Sequence, residues 1–402
     1  MKKRAIPIGR PSVLRYTNAH GILKLLRECG SCSRADLVRA TGLSAPTVTN
    51  VVKDLLSADL IEPLGEGSSN GGRPPDMIRF KAERGCLLAV EITAKSISFL
   101  LTDLNGSELD RHEVSLAKRK TNPEALCGLI GEELKKLLRK HTKSRDKLLA
   151  LVVGVPAIAN VDEGSVLSIS TLDGWRSVPL RAMLSKIAGC LVIVENDMNL
   201  AAQGEYYCGS AQNIKDFAFI HIGANVGAGI FLGGRIHHGS EWSAGEIAYL
   251  RLPSISRRPP TIHAFGELET VLNGPGIVKD WREACARSSR GPGKTDIDVV
   301  RILNLAQAGD PCAVKIVRRR SEIVADIIVN LSLILNPGLI LLGGEIASHP
   351  VLIDFVQKQL KGGEFAVTRI ASSPPSRRAV LWGAISLALD AIPSVLLPQP
   401  GL

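Results

Sequence analysis

The chain has 402 residues, of which 45% are hydrophobic and 22% are charged, and its formal net charge is +10. This length exceeds what one hydrophobic core usually holds, so the composition indicates a folded protein of two or more domains. The basic N-terminus is not followed by a long apolar run, so we expect neither a signal peptide nor a membrane span and place the protein in the cytoplasm.

The basic excess is concentrated at the front of the chain. Residues 1–84 hold 14 Lys and Arg against 8 Asp and Glu, whereas the remaining residues hold 35 against 31. Because modules that bind phosphate backbones carry a positive excess, this distribution favours a nucleic-acid-binding domain at the N-terminus.

A basic arm over residues 1–17 precedes a predicted helix over 18–28, and residues 33–56 then indicate a helix-turn-helix. Ser33 and Asp36 have the spacing of a capping box at the start of one helix. Gly42 supplies the turn. Apolar residues then recur at the spacing of one buried helix face.

The second helix of this unit has a polar face suited to DNA. Ser44 is its predicted N-cap, and the free face carries Thr47, Thr49, Asn50 and Lys53. Short polar side chains near a helix N-terminus suit contacts with phosphates and base edges in a major groove. The alternative is a small helical hairpin that binds nothing.

Two short strands, at 60–63 and 77–80, follow the second helix and are joined by a glycine-rich tip over 65–75. This pattern is typical of a wing, and Arg73 in the tip is predicted to enter a minor groove. The helix-turn-helix and the wing in tandem favour binding to a double-stranded DNA operator.

After the wing, the pattern changes to that of an α/β domain. We predict strands at 86–92, 96–103 and 112–116, a helix at 123–141, a buried strand at 148–156, a second hairpin at 217–222 and 229–232, a long helix at 313–336, a strand at 339–342 and a tail helix at 379–391. Three antiparallel strands followed by a helix and a buried strand resemble one lobe of the actin-like, ribonuclease-H-like fold. The partial recurrence of this order predicts two lobes with a cleft between them.

The eight cysteines are scattered without the spacing of a disulfide framework, which favours reduced thiols. Cys29 and Cys32 form a Cys-x-x-Cys pair. Because no second pair completes a tetrahedral set beside them, we interpret them as ordinary thiols in a turn.

Several short motifs stand in the order and spacing of a known family. They are Gly154-Val155-Pro156, Glu195-Asn196-Asp197-Met198-Asn199, Gly223-Ala224-Asn225-Val226-Gly227-Ala228-Gly229, Gly245-Glu246-Ile247, and Leu335-Asn336-Pro337 followed by Gly343-Gly344. Together with the winged helix-turn-helix, this set resembles the ROK family of repressors and sugar kinases over nearly the whole chain. The resemblance implies an α/β fold in which an N-terminal winged helix-turn-helix precedes a two-lobed actin-like sugar-kinase fold.

This reading divides the chain into two domains. We predict a DNA-binding domain over 1–84 and a ROK domain over 85–402. Within the latter, the first lobe covers about 85–195 plus a C-terminal helix at about 379–402, and the second lobe covers about 196–378.

The resemblance also implies roles for individual residues. Asp197 matches the general base that takes a proton from the sugar hydroxyl in family kinases, and Asn196 matches a sugar contact. Glu246 and Glu269 match two positions that accept hydroxyl protons of the sugar. The alternatives are helix capping for Asn196 and Asp197 and simple solvation for the two glutamates.

Two further positions differ from the family pattern. Thr171 stands where many relatives have a sugar-contacting Asn, and Tyr249 stands where they have a His that serves both sugar and zinc. Since no Cys lies between residues 209 and 284 either, we expect no zinc site there.

The phosphate-binding motifs are altered as well. The family's first such motif, Asp-x-Gly-x-Thr, reads Glu91-Ile92-Thr93-Ala94-Lys95 here. In the glycine-rich loop Ala224 replaces the usual Thr and Asn225 the usual Gly. We therefore expect no ATP, no cofactor and no enzymatic activity.

The sequence thus predicts a bacterial DNA-binding transcriptional regulator, a repressor of carbohydrate-related genes, with an inactive sugar-kinase-like domain that binds a sugar or sugar derivative. It is expected to form a homodimer or homotetramer, because helix-turn-helix modules read paired half-sites. Two alternatives stay open: a carbohydrate kinase with an added DNA-binding domain, and a ligand-independent regulator that uses the lobes for oligomerisation.

Overall fold

The N-terminal module of the computed structural model is built around two capped helices. The structure describes residues 11–66, 75–141, 147–169, 171–253, 255, 266–287, 297–361, 368–374 and 378–396. The elements of the module are α1 (Pro11–Cys29), β1 (Ser31–Ser33), α2 (Arg34–Thr41), α3 (Ala45–Ser57), β2 (Ile61–Glu66) and β3 (Asp76–Phe80). The predicted capping box is present, since Ser33 and Asp36 cap α2 reciprocally, and Gly42 ends α2 in the left-handed conformation at φ 68°.

Two local predictions for this module were wrong. The basic arm was expected to reach residue 17, but α1 already begins at Pro11. The segment after Cys29 was expected to be a turn, but Gly30 alone turns the chain at φ 74°, and Ser31–Ser33 then pairs with β3. Cys32 is therefore a buried strand residue in the module's three-stranded sheet, whose order in the described chain is β1–β3–β2.

The next part of the chain forms a mixed sheet with helices beside it. Its elements are a short 3-10 helix (Ala82–Arg84), β4 (Gly85–Ile92), β5 (Ser96–Asp103), β6 (Glu108–Ser115), α4 (Pro123–His141), β7 (Lys147–Val155), β8 (Ala159–Asn160), β9 (Ser165–Ser168), β10 (Arg176–Val178), α5 (Leu180–Ala188) and β11 (Leu191–Asn196). The sheet order is β11–β7–β4–β5–β6, with β4, β7 and β11 parallel and β5 antiparallel to β4. The small strands β8, β9 and β10 pair separately.

The remaining elements build a second sheet and its covering helices. They are α6 (Asp197–Cys208), β12 (Phe217–Ile222), β13 (Val226–Leu232), β14 (Arg235–Ile236), a 3-10 helix (Ile247–Tyr249), α7 (Glu267–Leu272), α8 (Gly274–Arg287), α9 (Val299–Gln307), α10 (Pro311–Leu335), β15 (Leu339–Gly343), α11 (Gly344–Ala347), α12 (Pro350–Leu360), β16 (Ile370–Ser372) and α13 (Ala379–Leu396). The sheet order is β14–β13–β12–β15–β16. Both sheets thus combine an antiparallel hairpin with parallel strands, which is the two-lobed pattern predicted from the sequence.

The tail helix α13 returns to the first sheet, where it packs against β4, β7 and α6. Its contact with α6 is backbone to backbone: a Cβ on Gly204 would lie 2.0 Å from the carbonyl oxygen of Ala379, and one on Gly383 would lie 1.8 Å from that of Leu200. Within the described ranges, α13 is the one helix long and apolar enough to cross a membrane, but 56% of it is buried in the protein. Its apolar side chains belong to the core that also includes α1.

Candidate functional site

The predicted DNA-contacting residues of α3 are of two kinds, those whose polar groups are bonded within the helix and those whose polar groups extend from it. Ser44 caps the helix by accepting from the Thr47 amide at 3.3 Å, and its hydroxyl lies 2.8 Å from the Thr47 hydroxyl. The Thr49 hydroxyl donates to the Ala45 carbonyl at 2.9 Å. Asn50 and Lys53 are exposed and extend from the same helix. Thus Asn50 and Lys53 keep polar groups available to a partner, whereas both threonine hydroxyls already have intramolecular bonds.

The wing is formed by β2 and β3, which pair from Ile61 opposite Phe80 outwards to Glu66 opposite Asp76. Its position beside α3 is that of a winged helix-turn-helix. Arg73, predicted to enter a minor groove, lies outside the described residues.

The residues predicted to bind a ligand meet around one cavity of about 90 Å³. Its lining includes Asn196, Asp197, Glu246, Glu269, Thr171 and Tyr249. These residues come from positions up to 98 apart in the chain. The end of β11, the 3-10 helix Ile247–Tyr249 and the start of α7 bring them together between the two sheets. The carboxyl ends of parallel strands commonly place ligand-binding residues in this way.

Asn196 both caps a helix and lines the cavity. Its Oδ1 accepts from the amides of Met198 at 2.8 Å and Asn199 at 3.1 Å, and its Nδ2 donates to the Ala157 carbonyl at 3.0 Å. The capping interpretation of this residue is therefore confirmed, and the cap fixes Asp197 in the first turn of α6 at the cavity wall.

Carboxyl groups dominate the electrostatics of the cavity. Burial, with a contribution from nearby Glu91, raises the pKa of Asp197 well above its ordinary value. Burial raises the pKa of Glu246 and the pKa of Glu269 to about 7 each. The neighbouring Glu269 adds to the shift of Glu246. The Glu269 carboxylate accepts from the Val226 amide at 3.2 Å. These groups can donate as well as accept hydrogen bonds near neutral pH, which suits a polyhydroxy ligand.

The turn at the first altered phosphate motif is closed by its own hydrogen bonds. The Thr93 amide donates to the Ser96 carbonyl at 2.9 Å, and the Thr93 hydroxyl oxygen accepts from the Ser96 amide at 3.0 Å. Glu91, at the end of β4, is half-buried, and desolvation of its carboxyl group raises its pKa to about 7. The turn thus uses the amides of Thr93, Lys95 and Ser96 in internal hydrogen bonds, and it keeps a carboxyl group where the family motif has Asp.

The second altered motif joins β12 to β13. The Gly223 amide donates to the Asn225 carbonyl at 3.0 Å, and the Gly223 carbonyl accepts from the Gly274 amide at 3.1 Å. Phosphate-binding loops need free amides pointing at the ligand. Here Gly223 has its amide and its carbonyl bonded within the protein.

No group of three or more His, Cys, Asp and Glu residues that could hold a metal ion occurs among the described residues. Tyr249 lies on the cavity wall, and burial raises the pKa of its phenol, with Glu246 and Glu269 contributing.

Sequence reasoning missed the partner of His238. The Nε2 of His238 lies 2.7 Å from the Oε2 of Glu195, which is 3% exposed. The Oε1 of the same carboxylate accepts from the Asn196 amide at 2.8 Å and from Asn199 Nδ2 at 2.9 Å. An acidic residue directly after the apolar run at 191–194 is the sequence signal that could have indicated a buried partner.

Comparisons with known proteins match both parts of the chain. The model of the ROK family matches residues 87–391, and that of a winged helix-turn-helix DNA-binding domain matches residues 17–62. The xylose repressor of Caldicellulosiruptor bescii is 22% identical over 95% of this chain and 98% of its own length. The repressor Mlc of Escherichia coli is 24% identical over 96% and 95%, and the glucokinase of Halalkalibacterium halodurans is 28% identical over 73% and 90%.

Solved structures give the same fold. A ROK family transcriptional regulator described as a homologue of the E. coli MLC protein superposes with a TM-score of 0.79, at 22% identity, covering 96% of this chain and 98% of its own. A ROK family glucokinase from Streptomyces griseus in complex with glucose and AMPPNP has a TM-score of 0.61, at 24% identity, covering 75% and 99%. The family thus includes both regulators and kinases, and the regulators share the N-terminal module with this protein. From its sheet topology, its motifs and the match over residues 87–391, the chain belongs to the ROK family and carries a winged helix-turn-helix DNA-binding domain at its N-terminus.

Proposed function

We propose that this protein is a cytoplasmic transcriptional repressor of carbohydrate-related genes whose ROK domain binds a sugar or sugar derivative without phosphorylating it. The observation that carries the proposal is the contrast between two parts of one domain. The predicted sugar-binding residues converge on one cavity, which we call the sugar cavity. In contrast, the turns at both altered phosphate motifs have amides that are bonded within the protein.

Asp197 adds a polar group to the proposed sugar-binding surface. Its carboxyl group lies on the cavity wall, and burial together with Glu91 raises its pKa well above the ordinary value. Such a carboxyl group can donate a hydrogen bond to a sugar hydroxyl when it is protonated and accept one when it is ionised.

The route from the sugar cavity to the DNA-binding domain passes through Glu195. This carboxylate holds the Asn196 amide on one side and His238 on the other. His238 lines a second, larger cavity that is also lined by α1 of the DNA-binding domain. A sugar that shifts Asn196 and the start of α6 would move this buried link and bias the position of α1, which is what linkage between two sites requires.

The proposed oligomer is a homodimer or homotetramer. A single winged helix-turn-helix reads one half-site, and a symmetric dimer reads two half-sites related by the same two-fold axis. Paired recognition makes operator affinity sensitive to the relative position of two DNA-binding domains, which a change at α1 would alter.

The test is binding of the purified full-length protein to the DNA upstream of its own gene, measured by fluorescence anisotropy at fixed salt. A panel of sugars and sugar phosphates is added, with scrambled DNA as the control. We expect specific binding that one sugar changes by about 5- to 150-fold, the usual range of allosteric coupling. Specific binding that no sugar changes would support the ligand-independent alternative, and ATP-dependent sugar phosphorylation would support the kinase.

A further inference from the structure

A large cavity lies between the DNA-binding domain and the ROK domain. Its volume is about 1260 Å³, and it is lined by α1, α6, α13, and β14 with the residues that follow it. Helices α6 and α13 pack on each other, α1 packs on α13, and β14 packs on α6. The cavity therefore lies over the α6–α13 pair, with α1 and β14 at its sides. We call it the interdomain cleft. It is distinct from the sugar cavity: Glu195 and His238 line the cleft, whereas the next residue in the chain, Asn196, lines the sugar cavity.

The cleft is lined by basic side chains from both domains. His20, Lys24 and Arg27 follow one another at four- and three-residue spacing on α1, which places them on one helix face. Arg235 and His237 are contributed by β14 and the residue after it. Within the described ranges, neither Lys24 nor Arg235 forms an ion pair, although both are exposed to the cleft.

Arg27 has unused hydrogen-bonding capacity at the same place. Its Nη1 donates to the Leu389 carbonyl at 3.1 Å, which ties α1 to α13. Its Nε is buried and has no acceptor among the residues that the structure describes. A buried donor without an acceptor costs free energy, and a bound acceptor would remove that cost.

Three carboxyl groups, those of Glu28, Glu195 and Asp390, line the cleft together with Lys24, Arg27 and Arg235. Glu195 is already hydrogen-bonded to His238. Burial raises the pKa of Asp390, and Lys24, Arg27 and His20 oppose this shift, so Asp390 is the carboxyl group of α13 that lies near the basic face of α1. Glu28 is exposed at the end of α1. Polar groups such as Gln203, Tyr207 and Ser386 complete the lining and suit hydroxyl groups.

We propose that the interdomain cleft is a second effector site, which binds a small phosphorylated sugar or similar phosphorylated metabolite through Lys24, Arg27 and Arg235. The site would contact the DNA-binding domain and the ROK domain at once. A ligand there stabilises one relative position of the two domains and therefore acts on operator affinity directly, without occupying the sugar cavity. The chemistry is that of charge-assisted hydrogen bonds from Arg and Lys to phosphate oxygens.

The experiment uses the full-length protein and isothermal titration with three probes: glucose 6-phosphate, inorganic phosphate and glucose. We expect glucose 6-phosphate to bind and K24Q/R235Q to weaken that binding about tenfold or more, because each lost charge-assisted bond is worth a factor of this order. K186Q, at another exposed lysine, is the matched control and is expected to bind as the parent does. Both positions in the double variant are exposed, so the fold is expected to persist, and the thermal midpoint checks it.

The variant D197N separates this site from the sugar cavity. Binding of glucose 6-phosphate is expected to survive D197N, whereas the response to a neutral sugar is expected to be lost. Three results would overturn the proposal: no binding of either phosphate probe at millimolar concentration, unchanged binding in K24Q/R235Q, or loss of phosphate binding in D197N. Inorganic phosphate binding as tightly as glucose 6-phosphate would identify a simple anion site and contradict a phosphorylated-sugar effector. A sugar-responsive repressor without phosphate binding would leave the proposed function intact.

Discussion

At the scale of single residues, the proposed DNA binding and the proposed sugar binding each depend on a few polar side chains. On α3, Asn50 and Lys53 are exposed while the hydroxyls of Thr47 and Thr49 are bonded within the helix. In the ROK domain, Asp197 is 7% exposed and lies on the wall of the sugar cavity. Each of these residues can be changed without creating a hole in the core.

Asn50→Ala is expected to weaken operator binding about tenfold or more, because an amide that pairs with a base edge contributes about 1–3 kcal/mol of discrimination. Lys53→Ala is expected to weaken binding equally on all sequences and to lower the slope of log affinity against log salt by about one. Anisotropy titrations across several salt concentrations measure both. Unchanged affinity in Asn50→Ala would contradict the assignment of α3 to the major groove.

Asp197→Asn keeps the shape of the side chain and removes the ionisable group. We expect sugar affinity to fall about ten- to hundredfold, since hydrogen bonds to ionisable groups contribute about 1.5–3 kcal/mol. Operator affinity without sugar is expected to stay the same, because Asp197 is remote from α3. Titration calorimetry and anisotropy separate the two effects, and normal sugar binding by the variant would place the ligand elsewhere.

The stability of the protein is expected to depend on pH through the cavity carboxyls. The pKa of Glu246 is about 7 in the folded state, above its ordinary value of 4.5, so the folded protein binds this proton more tightly than the unfolded chain. The free energy of unfolding should therefore fall as pH rises from about 4.5 to about 7. Glu246→Gln should flatten this slope by up to about 1.4 kcal/mol per pH unit. Thermal denaturation from pH 5 to pH 8 measures it, and Glu132→Gln on the surface of α4 should leave the slope unchanged.

At the scale of elements, the link between the two cavities is a contact between the end of β11 and the segment after β14. Glu195→Gln and His238→Gln are each expected to leave sugar binding within a few-fold of the parent while reducing the effect of sugar on operator affinity towards none. The reason is that the link transmits the shift without touching the ligand. His112→Gln is the matched control, because His112 faces Glu133 at 3.2 Å in a His–Glu pair outside both cavities. Full sugar responses in both Glu195→Gln and His238→Gln would show that coupling takes another path.

At the scale of the whole molecule, a kinase-like fold carries a DNA-binding module and has both phosphate-binding turns closed. We expect no sugar-dependent ATP turnover with a mixture of hexoses, under conditions in which a ROK glucokinase is fully active. The amides of Thr93, Ser96 and Gly223 in the two altered turns are bonded within the protein and are not available to the β- and γ-phosphates. A coupled assay for ADP provides the measurement. Turnover that disappears in Asp197→Asn would establish catalysis and refute the assignment.

Local features of this protein could be predicted from sequence because short-range physics decides them. The cap at Ser33, the left-handed Gly42, the N-cap at Ser44 and the buried strand, predicted at 148–156 and observed at Lys147–Val155, each depend on residues within a few positions of one another. The ligand-binding candidates Asn196 and Asp197 were found in the same way, through their position at the end of a strand and the family motif around them. What Asn196 and Asp197 bind stays a prediction.

Only the tertiary structure decided which distant groups meet. Pairing of β1 with β3, the bond from Arg27 to Leu389 across 362 positions and the contact of Glu195 with His238 across 43 positions leave no periodic or local signal in the chain. The raised pKa of Glu246 likewise comes from burial beside Glu269, which no spacing reveals. The sequence by itself determined a DNA-reading module joined to a sugar-kinase-like domain. Folding decided that amides of the altered phosphate turns are bonded within the protein and that Glu195, beside the sugar cavity, meets His238 in the interdomain cleft, because long-range packing sets which groups lose water and which find partners.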